Sequence, residues 1–342
     1  MRLCVFDSSW FIHYGARSAR HKDYTFSQFP LGGVKFLTNS VLIELLAGNN
    51  VICCFDSATN KHDLYPGYKA NRPRESYIFS QTDYAYSMFM KCGISCFKSL
   101  GHEADDLIAS VVTKNRAEFN DIVCYTNDAD ISHNVTEGVR VLAACDGGID
   151  ITPRNFKSAA QRGDLVEYNT ISAYKVLIGD SSDKIRQFRS SIGLNGRQIY
   201  NSYVLWGNES LPNDYRRSYL FSTRQILEFH LNTLGLSADD LEELGRRMDV
   251  VFPMILTEVP SSSIKDSLIV QNLSKLLTIL NEDNFLRRFG LERQRLSSEE
   301  FTEFRNNAQV SQSIEYTVDR SLPVHDSFIE KDLGGSMNLR LF

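Results

Sequence analysis

NVICCFDS (50–57) is a short apolar run, rich in Val, Ile, Cys and Phe, that ends abruptly on an acid, Asp56. The same grammar recurs in LCVF (3–6), which ends at Asp7, and in DIVCYT (121–126), just before Asp128. Runs of this length and composition read as strands buried on both faces. Helical patterns lie between them: VKFLTNSVLIELLA (34–47) repeats apolar residues at helical spacing, and in EADDLIASVV (103–112) Ala104, Leu107, Ile108, Val111 and Val112 make one stripe. Alternation of strand and helix predicts an α/β domain with a mainly parallel central sheet flanked by helices. In such sheets ligands gather beyond the carboxyl ends of the strands, which is where these acids fall.

The 342 residues suffice for a sizeable core and about two domains. No run approaches a membrane span, and MRLCVFDSSW meets Asp7 too early for a signal peptide, so the expectation is a cytoplasmic protein without membrane contact. The seven cysteines contain no CxxC pair and read as reduced thiols. The net charge of −5 hides a local excess: from Lys184 to Arg224 seven Lys/Arg face only Glu209 and Asp214, enough for a surface that follows a phosphate backbone or for a solvated charged face.

NKHDLYPGYKANRPRESY (60–77) is polar, basic and aromatic with two prolines, and reads as a loop or helical segment projecting from the sheet edge. Past about residue 184 the pattern turns helical, in RQIYNSYVL, TRQILEFHLNTL, ADDLEELGRRM and VQNLSKLLTIL. From about Arg293 the chain reads as a weakly ordered polar tail. The expected organisation is a core over 1–183 with a projecting segment at about 60–95, a helical subdomain over 184–292 and a tail over 293–342.

The acids that follow strands or open helices are Asp7, Asp56, Glu103, Asp105, Asp106, Asp128, Asp130, Asp180 and Asp183. Glu103 and Asp106 share a helix face, and Asp105 joins them if the helix is just starting. Asp128 and Asp130, two apart on extended chain, are expected to point the same way. In GDSSD (179–183), Asp180 and Asp183 suit a helix start as well as a metal site, and one arrangement can serve both. Each like-charge carboxylate pair at about 4 Å costs roughly 1–4 kcal/mol, which hard divalent cations with oxygen ligands would remove. Two such ions, Mg²⁺ or Mn²⁺, suit phosphodiester hydrolysis. The bland reading, in which each acid is a separate surface or capping residue, holds for any one Asp and is poorer for the set.

Together VFDSS (5–9), CCFDS (53–57), LYPGYKANR (64–72), HEADDLIAS (102–110), YTNDAD (125–130) and LIGDSSDKI (177–185) resemble, in order, the flap endonuclease / 5′→3′ exonuclease family, which includes the 5′-nuclease domain of bacterial DNA polymerase I and phage flap endonucleases. The resemblance spans roughly residues 1–200. It implies a PIN-like 5′-nuclease fold with a helical arch and a helix–hairpin–helix-type C-terminal subdomain. It places Asp7, Asp56, Glu103, Asp105 and Asp106 around a first metal, and Asp128, Asp130, Asp180 and Asp183 around a second. Lys69 and Arg72 fall on the family's basic pair at the foot of the arch, where two cations at i,i+3 on a helix would neutralise the scissile phosphate. Tyr68 falls where the family stacks a nucleobase, and packing at the arch base serves Tyr65 and Tyr68 equally well.

Two departures stand out. Lys61 or His62 replaces an Arg before the LYP block, so charge is kept and bidentate phosphate binding lost. KIRQFRSSIGLNG lacks the family's Pro-Gly, so its hairpin contact to duplex DNA is expected at Gly193, Asn195, Gly196 and Arg197, with Asn195 in a left-handed position and a K⁺ ion in question. At the end, NLRLF (338–342) resembles a sliding-clamp peptide, with Leu339, Leu341 and Phe342 as anchors, or else docks on its own domain. The expectation is a monomeric, phage-type enzyme, in the host cytoplasm if phage-encoded, cutting flap, branched or 5′-ended DNA and RNA primers in RNA–DNA hybrid. A non-catalytic branched-DNA-binding protein of the same fold and a PIN-like ribonuclease are the alternatives.

Overall fold

Arg2–Asp7 (β1) runs up the middle of a six-stranded sheet, paired in parallel with Asn50–Cys54 (β4) on one side and Asp121–Tyr125 (β6) on the other. The computed structural model describes residues 1–18, 25–26, 28–59, 61–70, 75–143, 148–156, 170–210, 224–280, 282–291, 293–294 and 296–313. Thr25–Phe26 (β2) and Phe29–Pro30 (β3) form a separate small hairpin. Cys96–Phe97 (β5), Val139–Ala143 (β7) and Ile149–Ile151 (β8) complete the large sheet in the order β5-β4-β1-β6-β7-β8, with β8 alone antiparallel.

Both faces are covered, which is why the three predicted strands are apolar at every position rather than alternating. Cys4, Phe6, Val51 and Cys53 point into one core, with Ser8–Arg17 (α1), Gly32–Leu46 (α2) and Ser76–Cys92 (α4). Leu3, Val5, Ile52, Cys54, Ile122 and Cys124 point into the other, under Ala104–Asn115 (α5). Among the described residues between β4 and α4 is a short helix, Lys61–Leu64 (α3). The register pairs Asp7 with Cys54 and Phe6 with Tyr125, so Asp7, Asp56 and Asp128 all emerge at the carboxyl edge.

A third core joins Ile171–Ile178 (α6), Gly196–Ser210 (α7), Arg224–Asn232 (α8) and Ala238–Val251 (α9) through Val176, Leu177, Tyr200, Tyr203, Leu227, Leu231, Leu244 and Met248. The chain then returns to the sheet. Ser263 bonds Val51 in both directions, at 2.8 and 2.9 Å, and Ser267–Ile279 (α10) buries Leu273, Leu276 and Leu277 in the first core. Asp283–Arg288 (α11) and Ser298–Ser313 (α12) follow.

These placements correct three expectations. The helical subdomain does not run from 184 to 292: it takes in α6, and α10 and α11 pack on the α/β core. The region after Arg293 is not wholly an irregular tail, because α12 packs on that core through Phe304 and Ala308, with ion pairs Lys91–Glu303 (2.5 Å) and Lys275–Glu300 (2.7 Å). The projecting segment does not extend to 95, since α4 buries Ile78, Tyr84, Ala85, Met88 and Phe89. Helix α12 offers few large apolar residues, so its docking left almost no periodic signal. Leu339, Leu341 and Phe342 lie outside the described residues, as does Arg72. Among the described residues no helix is long and apolar enough to cross a membrane.

Candidate active site

Asp7 ends β1 and caps α1, its Oδ1 accepting from the Trp10 amide (3.0 Å) and its Oδ2 from the Thr126 hydroxyl (2.8 Å). Asp56 follows β4 and accepts from the amide of Ala104, at 2.7 Å, which ties the start of α5 to the strand edge. Helix α5 does begin at Ala104, so Asp105 sits in its first turn and joins the edge, as the sequence required. The Glu103 amide donates to Asp106 Oδ2 (3.0 Å), the local bond that fixes the i,i+3 pair at a helix start.

Asp128 and Asp130 do not point the same way. They flank the start of a 3₁₀ turn, Ala129–Asn134, with Asp128 Oδ1 accepting from the Asp130 amide (2.9 Å). The turn divides the acids into two groups. Asp7, Asp56, Glu103, Asp105 and Asp128 line an open cleft of about 480 Å³, together with Lys69. Asp130 instead joins Asp180 and Asp183, with one oxygen of each within 4.8 Å of the others.

No helix starts at GDSSD. Asp180 and Ile185 exchange backbone bonds at 2.8 Å in each direction, closing a tight loop in which Asp180 Oδ1 accepts from the Ser182 amide (2.8 Å) and hydroxyl (2.5 Å). Gly179 turns with φ +93°, and a Cβ there would meet the Ile185 carbonyl oxygen at 2.4 Å, so the loop admits no side chain at that position. The helix-cap reading of Asp180 and Asp183 is therefore replaced by a side-chain-bonded turn.

The cations divide as well. Lys61 is buried, 6% exposed, its Nζ 3.0 Å from Glu103 and 3.2 Å from Asp106, so it is an internal counter-ion rather than a surface contact for nucleic acid. Tyr68, 3% exposed, donates to Glu103 Oε2 at 3.1 Å, which supports the packing role over the stacking one. Lys69 bonds Glu103 Oε1 at 2.7 Å, and its amide reaches the Asp183 carbonyl at 3.2 Å. Its φ of 51° is left-handed, so Lys69 does not stand on a regular helix as the i,i+3 pairing with Arg72 assumed. Burial pushes the Glu103 carboxyl up, but Lys69 and Lys61 outweigh it and hold it at about 2. Burial likewise opposes, and Lys175 with the Ser182 hydrogen bonds outweighs, to hold Asp180 at about 2.

Asp7, Asp105 and Asp128 behave in the opposite way. Burial, then the charges of Asp56 and Asp128, push Asp7 up to about 7. Burial and Asp128 push Asp105 well above the usual carboxylate range, and burial and Asp130 raise Asp128. No described Lys or Arg lies within ion-pair distance of Asp7, Asp56, Asp105 or Asp128. An oxygen-only set short of positive charge fits a hard divalent cation such as Mg²⁺ or Mn²⁺.

Sequence reasoning missed two groups. Trp10, His13, Tyr14 and Arg17 line the cleft from α1, with Trp10 and Tyr14 stacked at 5.3 Å. Their i, i+3, i+4, i+7 spacing in DSSWFIHYGAR was the available signal. Lys175 was the other: its Nζ lies 2.5, 3.3 and 2.7 Å from Asp130, Asp180 and Asp183. A lone cation inside the apolar helix AYKVLI was its only mark.

At the hairpin, Gly193 takes the left-handed position (φ +87°), and Asn195 instead precedes the start of α7, its amide donating to Gln198 Oε1 (2.9 Å) and its Oδ1 accepting from the Gln198 amide (3.0 Å). Gly196 packs against α6, where a Cβ would lie 1.8 Å from the Leu177 carbonyl oxygen. Arg197 rests over the Tyr174 ring (5.7 Å), half-buried, while Lys184, Arg186 and Arg189 are exposed.

The family described as 5′-3′ exonuclease, N-terminal resolvase-like domain, matches residues 4–161. DNA polymerase I of Treponema pallidum is 29% identical over 179 residues, covering 49% of this chain and 16% of that protein. The thermostable DNA polymerase I of Thermus filiformis is 28% identical over 249 residues, covering 71% of this chain and 28% of that one. The chain thus spans well under half the length of these relatives. Among solved structures, the T5 D15 protein co-crystallised with metal ions superposes with a TM-score of 0.50 at 16% identity, over 90% of this chain and 100% of that one, a likeness of fold. The ordered motif blocks, the parallel sheet with its acidic carboxyl edge and the match over residues 4–161 together make this chain similar to the 5′-3′ exonuclease N-terminal domain over that stretch.

Proposed function

We propose that this chain is a metal-dependent, structure-specific 5′ nuclease that hydrolyses phosphodiesters of flap, branched or 5′-ended DNA, RNA primers on DNA included, in replication or repair. The observation that carries this reading is the cleft at the carboxyl edge, where Asp7, Asp56, Asp105 and Asp128 meet with no described Lys or Arg at ion-pair distance and Lys69 lines the same cleft. Bound there and at Asp130, Asp180 and Asp183, divalent ions, Mg²⁺ or Mn²⁺, would supply an activated water and stabilise the leaving oxygen. The T5 D15 protein, of the same fold, was crystallised with metal ions.

The chain's own residues do the rest of the work. Lys69, released from Glu103 by an incoming phosphate, neutralises non-bridging oxygen charge, and Arg72 joins it. Trp10 and Tyr14 offer a flat aromatic wall on which a base can stack whatever its identity. Lys184, Arg186 and Arg189 on the exposed hairpin, with Arg197, follow the duplex backbone, where a K⁺ ion is a further candidate. The peptide at 338–342 would tether the monomer to a sliding clamp, and its removal should abolish capture by a clamp.

Cleavage of a 5′-flap duplex, with Mg²⁺ and with EDTA, tests the central reading. Asp128→Asn and Asp180→Asn should each reduce turnover at least ~100-fold if the acids act through metal. Activity that survives EDTA, or that both substitutions spare, would refute it.

A further inference from the structure

Three carboxylates of this edge already hold a cation of the chain's own. Lys175 is 5% exposed, and its ammonium sits where the oxygens of Asp130, Asp180 and Asp183 converge, at 2.5, 3.3 and 2.7 Å. An ammonium has three N–H donors, and here three acids surround it. Those oxygens lie within 4.8 Å of one another, a spacing that suits one small ion. Burial opposes the charge on Lys175, but Asp130, Asp183 and Asp180 outweigh it and keep the side chain cationic. Asp7, Asp56, Asp105 and Asp128 have no such internal partner among the described residues.

We propose that Lys175 is a resident counter-cation of the Asp130–Asp180–Asp183 cluster, so that a divalent ion enters this second position only by displacing the ammonium, and binds there more weakly than in the cleft. The inference rests on the metal-dependent reading of the cleft and concerns the order in which the two positions fill. Three negative charges and one positive leave the cluster with a net attraction for a divalent ion. A doubly charged ion beside an ammonium is repelled, so occupation requires the flexible lysine stem to swing away. The same lysine keeps the loop Asp180–Ile185 and the 3₁₀ turn Ala129–Asn134 together when no metal is present, because it bonds to both. Helix α6 thereby ties the third core to the sheet edge through an ion pair as well as through the apolar contacts of Ile171 and Tyr174.

The test is Mn²⁺ binding to the full chain, followed by calorimetry and by the electron paramagnetic resonance signal of free Mn²⁺, in wild type and Lys175→Met. Wild type should bind one ion tightly and a second at least ~10-fold more weakly. In Lys175→Met the second should tighten by ~10-fold or more while the first is unchanged. In EDTA the variant should melt at lower temperature than wild type, and Mn²⁺ should restore it. A variant that folds only with Mn²⁺ supports the proposal too, and one unfolded even with Mn²⁺ overturns it. A second event that is unchanged or weaker in Lys175→Met also overturns it, as does wild type binding two ions equally well. Failure of the underlying reading looks different: wild type would then bind no ion in the cleft, and Asp56→Asn would leave the first binding event untouched.

Discussion

Replacing Asp7 by Asn should stabilise the metal-free protein at neutral and alkaline pH. Asp7 is 5% exposed, and burial, then Asp56 and Asp128, lift its carboxyl from the ordinary 3.8 to about 7. Because the folded-state value is raised, the folded chain keeps this proton where the unfolded chain releases it, so stability is lost as pH rises between about 4 and about 7. The gap corresponds to ~4 kcal/mol once the group is fully ionised. The amide of Asn can still accept from Trp10, and the Thr126 hydroxyl can rotate to accept from it, so the substitution itself costs about 1 kcal/mol or less.

Urea denaturation of the full chain in EDTA, at about pH 5 and about pH 8, should show the stability difference moving in favour of Asp7→Asn by ~3 kcal/mol across that interval. Asp105 and Asp128, also raised, are coupled to Asp7 through their charges, so part of the difference is carried by these neighbours once the Asp7 charge is gone. Glu103 and Asp180, held at about 2, act with the opposite sign: their contribution is present above the ordinary carboxylate range and is lost only as pH falls toward about 2. Saturating Mn²⁺ should reverse the ranking, because the ionised carboxylate then gains a partner. A difference that stays flat between the two pH values would refute the claim that charge crowding at this edge is uncompensated.

Lys61→Ala should destabilise the protein by ~3–5 kcal/mol in a denaturant titration, since it leaves Asp106 without its cation and Glu103 with Lys69 alone in a buried site; a loss under ~1 kcal/mol would make Lys61 a surface residue in effect. Gly196→Ala should cost at least ~3 kcal/mol or lower the yield of folded protein, because its Cβ would fall 1.8 Å from the Leu177 carbonyl oxygen; a near-native melting curve would overturn that packing. Deleting 298–342 should lower the melting temperature by several degrees, given the contacts of α12 with α4 and α10, whereas an ordinary tail would leave it unchanged.

Much of this was legible. Buried strands that terminate on acids announce themselves, because a strand covered on both faces must be apolar at every position and its end must meet water or a ligand. From LCVFD, NVICCFD and DIVCYTND alone, the parallel sheet and the edge bearing Asp7, Asp56 and Asp128 could be read, and EADD placed Glu103, Asp105 and Asp106 beside them. The helices of the third core were likewise visible as periodic stripes.

The cations were less legible. Lys61, Lys69 and Lys175 look alike in sequence, yet one is sealed between Glu103 and Asp106, one borders the cleft, and one fills the Asp130–Asp180–Asp183 cluster. A lysine stem reaches several ångströms in many rotamers, so its partner is decided by which elements pack around it and not by its neighbours in the chain. The same holds for Asp128 and Asp130, which a 3₁₀ turn sends to different groups, and for α12, whose weak stripe finds its place only on a face built by α4 and α10. Sequence alone determined which acids reach the edge, because strand and helix periods are local. Tertiary structure decided which of them are already neutralised, because charge pairing depends on distance across the fold.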